Sequence, residues 1–317
     1  MKIICMEPLG VSQKKIAGLA APLKAAGHEV IYYTTKEINQ EKLLARIREA
    51  DILLLANQPL SAELIEQCPN LKFIDIAFTG VDHVGLEAAR KRGITVCNAA
   101  GYSTNAVAEL TFGLAIGAIR NIVAVDGRCR HAATKDGLVG FELFGKTFGV
   151  IGTGAIGCRV AKIAQSFGCK VLAYSRSVKP ELTDLGVKYV SLDELLAAAD
   201  FVSLHVPMNS ATAKLINAES IAKMKTGAVL INCARGGVVD SEALAGALNS
   251  GKLAAAGIDV FEQEPPLAEN HPLLHAKNTV VTPHVAFASR EALEARADIV
   301  FANIDAFLAG RPQNVVK

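Results

Sequence analysis

No run in this sequence has the length of a membrane span. The most apolar stretch, AVAELTFGLAIGAI (106–119), is interrupted by Glu109. The apolar start, KIICM, is too short for a signal peptide. Excess charge is also missing: 33 basic residues face 31 acidic ones, for a net +2, which gives no electrostatic case for nucleic acid or an anionic membrane as partner. The cysteines form no close pairs. Their number, seven, is odd, and Cys5, Cys68, Cys97, Cys129, Cys158, Cys169 and Cys233 are scattered. That pattern argues against a disulfide framework or a zinc site, and for reduced thiols in a cytoplasmic protein with no metal centre. Low-complexity tracts and short repeats are absent, so the disordered tails of a partner-recruiting protein are not expected. One further absence bears on chemistry: VLAYSRS (171–177) has no acidic residue at the end of a strand where a dinucleotide-binding chain normally carries one.

What is present is a chain of 317 residues, 51% hydrophobic, enough for large cores and in the range of two domains. Strand-like runs KIICM (2–6), EVIYYT (29–34), DILLLA (51–56), LKFIDIAF (71–78) and GITVCNA (93–99) alternate with helical spacing, as at 12–26 and 41–50. Such alternation predicts a parallel sheet with helices on its faces. Residues 105–119 form a long apolar helix, capped by Thr104 or Asn105, expected to be buried between domains or subunits. A second series begins near Thr147 with TFGVIG (147–152), KVLAYS (170–175), YVSL (189–192), FVSLHV (201–206), AVLINC (228–233), AAAGIDVF (254–261) and TVVTPHV (279–285). The tail, 290–308, is helical, with nothing strand-like after it, and is expected to pack back on the first domain. The fold class is therefore α/β, two doubly wound parallel-sheet units in tandem.

GTGAIG (152–157) follows a strand and opens a helix. Gly152 permits the tight turn, Gly154 lets the backbone approach a pyrophosphate, and Gly157 lets helix and strand pack closely; the amides about Ala155 and Ile156 receive phosphate. An ordinary Gly-rich turn is the plainer reading, which the strand–turn–helix context weakens. The acidic residue due roughly 20 residues on is replaced by Ser175, Arg176 and Ser177. Two hydroxyls and a guanidinium suit a 2′-phosphate, so NADP(H) is expected over NAD(H). Arg176 has a plainer reading too, a solvated loop residue.

Arg235, Glu264 and His284 each follow a predicted strand of the second series, at the edge where open α/β sheets bind ligands. Singly, each could be a surface charge or a packed side chain. Together they suit hydride transfer to a 2-oxo acid. A guanidinium holds the carboxylate with paired hydrogen bonds, an imidazole gives a proton to the developing alkoxide, and a carboxylate orients that imidazole.

In that order, GVDHVGLEAARKRGITVCN, GYSTNAVAE, GTGAIG, LHVPMNSAT, LINCARGGVVD, GIDVFEQEP and TPHVA resemble the D-isomer-specific 2-hydroxyacid dehydrogenase family over residues 74–287. The resemblance implies that Arg235, Glu264 and His284 are catalytic, and that Val206, Pro207, Thr212, Cys233 and Asp259 contact the dinucleotide. It implies substrate contacts at Thr79, Gly80, Tyr102 and Ser103. A Rossmann domain (100–285) is then inserted into a discontinuous flavodoxin-like substrate domain (1–99 plus 286–317), and two chains pair through the cofactor domains as a homodimer. The Ser-Arg-Ser turn resembles NADPH-preferring glyoxylate and hydroxypyruvate reductases. The loop at Tyr102 resembles glycerate dehydrogenases and, less closely, D-lactate-type enzymes, which leaves a D-lactate-type or other 2-hydroxyacid dehydrogenase using NADH open. A dinucleotide-sensing corepressor is the alternative of another class. Few basic residues lie near the substrate loops, which weighs against a phosphorylated substrate. No C-terminal regulatory domain like that of long phosphoglycerate dehydrogenases is expected. His83 and His131 have no assigned role.

Overall fold

Aliphatic runs flanked by Gly or polar turns become parallel strands. The computed structural model describes residues 1–264 and 267–316, and they divide into two compact units, Met1–Ser103 with the chain from Ala288, and Thr104–Phe287.

The first unit contains β1 (Lys2–Cys5), β2 (Glu29–Tyr32), β3 (Ile52–Leu55), β4 (Phe73–Ile76) and β5 (Thr95–Asn98), in the order β2-β1-β3-β4-β5. All its pairings are parallel. β3 and β4 are buried along their whole length, as strands covered by helices on both faces must be. The helix Gln13–Ala25 starts where the Ser12 side chain accepts the Lys15 N–H. The helix Arg290–Leu308 spans the predicted stretch and returns to this unit, stacking Phe307 on Phe73 of β4 with centroids 4.3 Å apart. The expectation of nothing strand-like beyond it needs correction. Val315 forms an antiparallel bridge with Cys97, and the Val316 N–H donates to Val96 O at 2.8 Å.

The second unit contains β6 (Thr147–Ile151), β7 (Lys170–Tyr174), β8 (Lys188–Tyr189), β9 (Phe201–Leu204), β10 (Ala228–Asn232), β11 (Leu253–Ile258) and β12 (Thr279–Val281). They form one parallel sheet in the order β12-β11-β10-β9-β6-β7-β8. The chain winds outward from β6 through β7 and β8, then restarts on the other side of β6 with β9. The β6/β9 boundary is therefore a topological switch point, where the loops at the carboxyl ends splay apart.

Two strands are shorter than their sequence runs. YVSL pairs only through Tyr189, because Ser191 caps the helix Leu192–Ala198 in a capping box with Glu194. TVVTPHV pairs only over Thr279–Val281, because Pro283 has no N–H for the ladder and the chain turns there. The helix Thr104–Ile119 has a buried face within its own unit. It lies in the core of the second unit, with Val107, Phe112, Leu114 and Ile119 buried among Phe148, Val160, Val171, Phe201 and Ile231. A Cβ on Gly257 of β11 would sit 2.7 Å from Leu114 Cβ, so helix and sheet meet with no room for a side chain there.

Candidate active site

Gly152 ends β6 at φ +94°, in the left-handed region. A Cβ there would come within 2.6 Å of His205 O, and one on Gly157 would come within 1.9 Å of Gly152 O. Both positions therefore exclude side chains. Gly154 differs: it is exposed, and a Cβ on it would meet nothing within 4 Å. No side chain caps the twelve-residue helix Ala155–Ser166 behind it, so its first N–H groups and positive dipole end are available to an anion. Ala155 is exposed and Ile156 half-buried on that first turn.

The turn after β7 lies beside this loop. Thr153 Oγ1 donates to Ser177 O at 3.5 Å, and Tyr189 OH donates to Thr153 Oγ1 at 3.1 Å. Arg176 and Ser177 are exposed and Ser175 half-buried. After β9, Thr212 Oγ1 donates to Pro207 O at 2.6 Å and closes the turn that begins at half-buried Val206. His205 at the start of this turn accepts or donates one bond, to Ser203 Oγ at 2.8 Å. Burial lowers its pKa from 6.5 to about 3, so the imidazole is neutral. Cys233, just past β10, is buried, which pushes its thiol up to about 12 and makes it a neutral, unreactive wall.

β10, β11 and β12 are neighbours in the sheet, and Arg235, Glu264 and His284 follow their carboxyl ends in turn. Glu264 and His284 meet directly. Nδ1 of His284 lies 2.5 Å from Glu264 Oε2, with side chains 34% and 24% exposed. A carboxylate only accepts, so Nδ1 carries a proton and Nε2 is the ring's other pole. The other oxygen, Oε1, accepts the Phe261 N–H at 2.6 Å. Arg235 is half-buried on a turn fixed by Asn232, whose Nδ2 donates to Arg235 O at 3.0 Å and whose Oδ1 accepts the Ala234 N–H at 3.0 Å.

His284 sits at φ +54°, costly for a residue with a Cβ. Asp259 over-determines that conformation. It is fully buried, and its carboxylate accepts Thr282 Oγ1 at 2.6 Å and the Val285 and Ala286 N–H groups at 2.9 Å, while its backbone O accepts the His284 N–H at 2.7 Å. Burial raises the Asp259 pKa against the pull of these donors. Asn232, Asp259 and Thr282 thus position the loops that carry Arg235 and His284. Position in a strand–loop junction is their only sequence signal, and it does not show that their side chains bond the following loop.

In the first unit, Thr79 and Gly80 follow β4, and Tyr102 and Ser103 follow β5, at adjacent strand ends. Thr79 is exposed and its carbonyl accepts Asn98 Nδ2 at 2.8 Å. Tyr102 and Ser103 are buried. The Tyr102 ring meets Phe78 edge-on at 6.0 Å, and the Arg296 guanidinium lies 4.9 Å over Phe78 and 5.8 Å over Tyr102. His83 bonds Ala56 O at 2.9 Å and His131 bonds Gly127 O at 2.8 Å. Pro265, which closes the GIDVFEQEP motif, lies outside the described residues.

Residues 112–286 match the D-isomer specific 2-hydroxyacid dehydrogenase, NAD binding domain family. A hydroxypyruvate reductase of Blautia hydrogenotrophica is 38% identical over 93% of this chain and 93% of its own length. The chain belongs to the D-isomer specific 2-hydroxyacid dehydrogenase family. A glyoxylate reductase of Thermococcus litoralis is 42% identical to this dehydrogenase over 86% of each chain. The crystal structure of a D-lactate dehydrogenase from Aquifex aeolicus, complexed with NAD and lactic acid, superposes with a TM-score of 0.85 at 32% identity, covering 98% of this chain and 96% of that one. The protein is an NAD(P)-dependent dehydrogenase acting on a small 2-oxo or 2-hydroxy acid.

Proposed function

We propose that this dehydrogenase reduces glyoxylate or hydroxypyruvate to the D-2-hydroxy acid with NADPH. The observation that carries the proposal is the Glu264–His284 pair, 2.5 Å apart and fixed by Asp259 at the carboxyl edge of the sheet that also bears the glycine loop.

The residues present fit a dinucleotide. Gly152 and Gly157 are positions a Cβ would block, and Gly154 with Ala155, Ile156 and the uncapped helix end offers amides to a pyrophosphate. Ser175, Arg176 and Ser177 would hold the 2′-phosphate. Val206, Pro207, Thr212 and Cys233 complete that side, and Asp259 serves it through the loop it holds. The bound nicotinamide supplies the hydride. Arg235 binds the substrate carboxylate and polarises the adjacent carbonyl. His284 donates its Nε2 proton to the alkoxide, and Glu264 orients the ring through Nδ1. Thr79, Gly80, Tyr102 and Ser103 take the substrate side. Chains pair as a homodimer through the second unit, where Val123, Val139 and Phe144 are 66%, 79% and 74% exposed. Seven unpaired cysteines suit a cytoplasmic location.

A panel of glyoxylate, hydroxypyruvate and pyruvate, run with NADPH and with NADH, tests the assignment. Turnover is expected with the first two acids and NADPH, and His284→Ala should lower kcat about 100-fold or more. Pyruvate with NADH as the best pair would favour the D-lactate type, in line with the Aquifex structure. Cofactor binding without turnover would favour a sensor.

A further inference from the structure

A second carboxylate and imidazole stand beside the reactive pair. Glu262 Oε1 accepts Ser241 Oγ at 2.5 Å, and Glu262 Oε2 lies 3.0 Å from His271 Nε2. Nδ1 of His271 accepts the Leu273 N–H at 3.3 Å, which leaves the ring proton on Nε2 and makes that bond a donation to Glu262. The His271 ring also meets Phe261 edge-on at 5.1 Å. Burial works against the Glu262 charge, but the bonds from Ser241 and His271 outweigh it and hold the carboxyl below its usual range.

The backbone at this point has almost no freedom. A Cβ on Gly236 would lie 1.9 Å from Phe261 C and 2.3 Å from Glu262 N, so the 261–262 peptide rests directly on the residue after Arg235. The Phe261 N–H in turn donates to Glu264. Glu262 is thus pinned from two sides, by the first residue of the helix Ser241–Ser250 and by the 3-10 turn that His271 opens. Neither contact is made by Arg235, Glu264 or His284.

We propose that Ser241, Glu262 and His271 form a clamp whose role is to set Glu264 against His284 and to keep that loop seated on Gly236 beside Arg235. These are positioning residues. They act on the hydride-transfer step, and this inference rests on the catalytic reading of Glu264 and His284. A loop that can drift by a fraction of an ångström loses the alignment of the proton donor while the substrate and cofactor sites stay formed.

The test is steady-state kinetics on the full-length protein with glyoxylate and NADPH, normalised to bound-cofactor equivalents. Glu262→Gln cannot accept from both Ser241 and His271, and should lower kcat roughly 10- to 100-fold with KM for glyoxylate within about twofold. The primary isotope effect from cofactor deuterated at the transferred position should rise as the chemical step becomes limiting. His271→Phe should reproduce the loss, and His271→Gln, which keeps a donor toward Glu262, should restore most of the rate. That comparison replaces Glu262→Gln if the latter does not fold. Unchanged kcat and isotope effect per bound cofactor, or equal losses in His271→Phe and His271→Gln, would overturn the clamp. His284→Ala is run in parallel. Normal turnover in that variant removes the catalytic reading itself, whereas a His284-dependent rate that ignores Glu262 removes only the clamp.

Discussion

Single residues carry the proposed choice between NADPH and NADH and a predicted response to acid. Arg176 stands exposed at the end of β7, where an acid would repel a 2′-phosphate. Replacing it by Ala together with Ser175→Asp removes the cation and supplies a ribose-hydroxyl acceptor. The ratio of kcat/KM for NADPH over NADH should fall about tenfold or more; an unchanged ratio would sink the phosphate assignment. His205 makes a separate prediction about stability. Its pKa is about 3 when folded, against 6.5 ordinarily. Below 6.5 the unfolded chain therefore takes up a proton that the folded chain refuses. The stability His205 allows is complete above about pH 6.5 and is lost as pH falls toward about 3. Urea midpoints at pH 7 and pH 5 should differ less in His205→Gln than in the parent; equal slopes would show that the ring titrates normally.

At the scale of elements, the glycine loop was legible because its cause is local: a tight turn needs Gly152. Two strand ends were not, because an apolar run does not show that Ser191 and Glu194 form a capping box or that the chain leaves the ladder before Pro283. The helix Thr104–Ile119 was legible as a helix but not in its surroundings. It is apolar around most of its circumference, so periodicity could not say which surface covers it, and only the packing of Leu114 on Gly257 does. Gly257→Ala should cost about 1–3 kcal/mol by overpacking that contact, lowering Tm by about 2–4 °C for each kcal/mol. A calorimetric scan with no shift would mean that helix and sheet are less tightly apposed than 2.7 Å implies.

For the whole molecule, the proposed pairing of chains makes the last prediction. Val123 and Val139 are 66% and 79% exposed on the second unit, an expensive surface to leave in water. Val123→Asp with Val139→Asp should halve the solution mass measured by light scattering while far-ultraviolet dichroism is unchanged. A parent protein that already runs as one chain would remove the homodimer. The sequence by itself determined the alternation of strands and helices, the glycine turn at 152–157, and the chemical types present at Arg235, Glu264 and His284. Each of these follows from periodicity, glycine conformation or side-chain chemistry within a few residues. Only the tertiary structure decided that β10, β11 and β12 are neighbours, that Asp259 holds His284 at φ +54°, and that Glu262 is gripped by Ser241 and His271. Those outcomes depend on hydrogen bonds and packing between residues 9 to 27 positions apart, and no local signal encodes which distant partner a buried polar group will find.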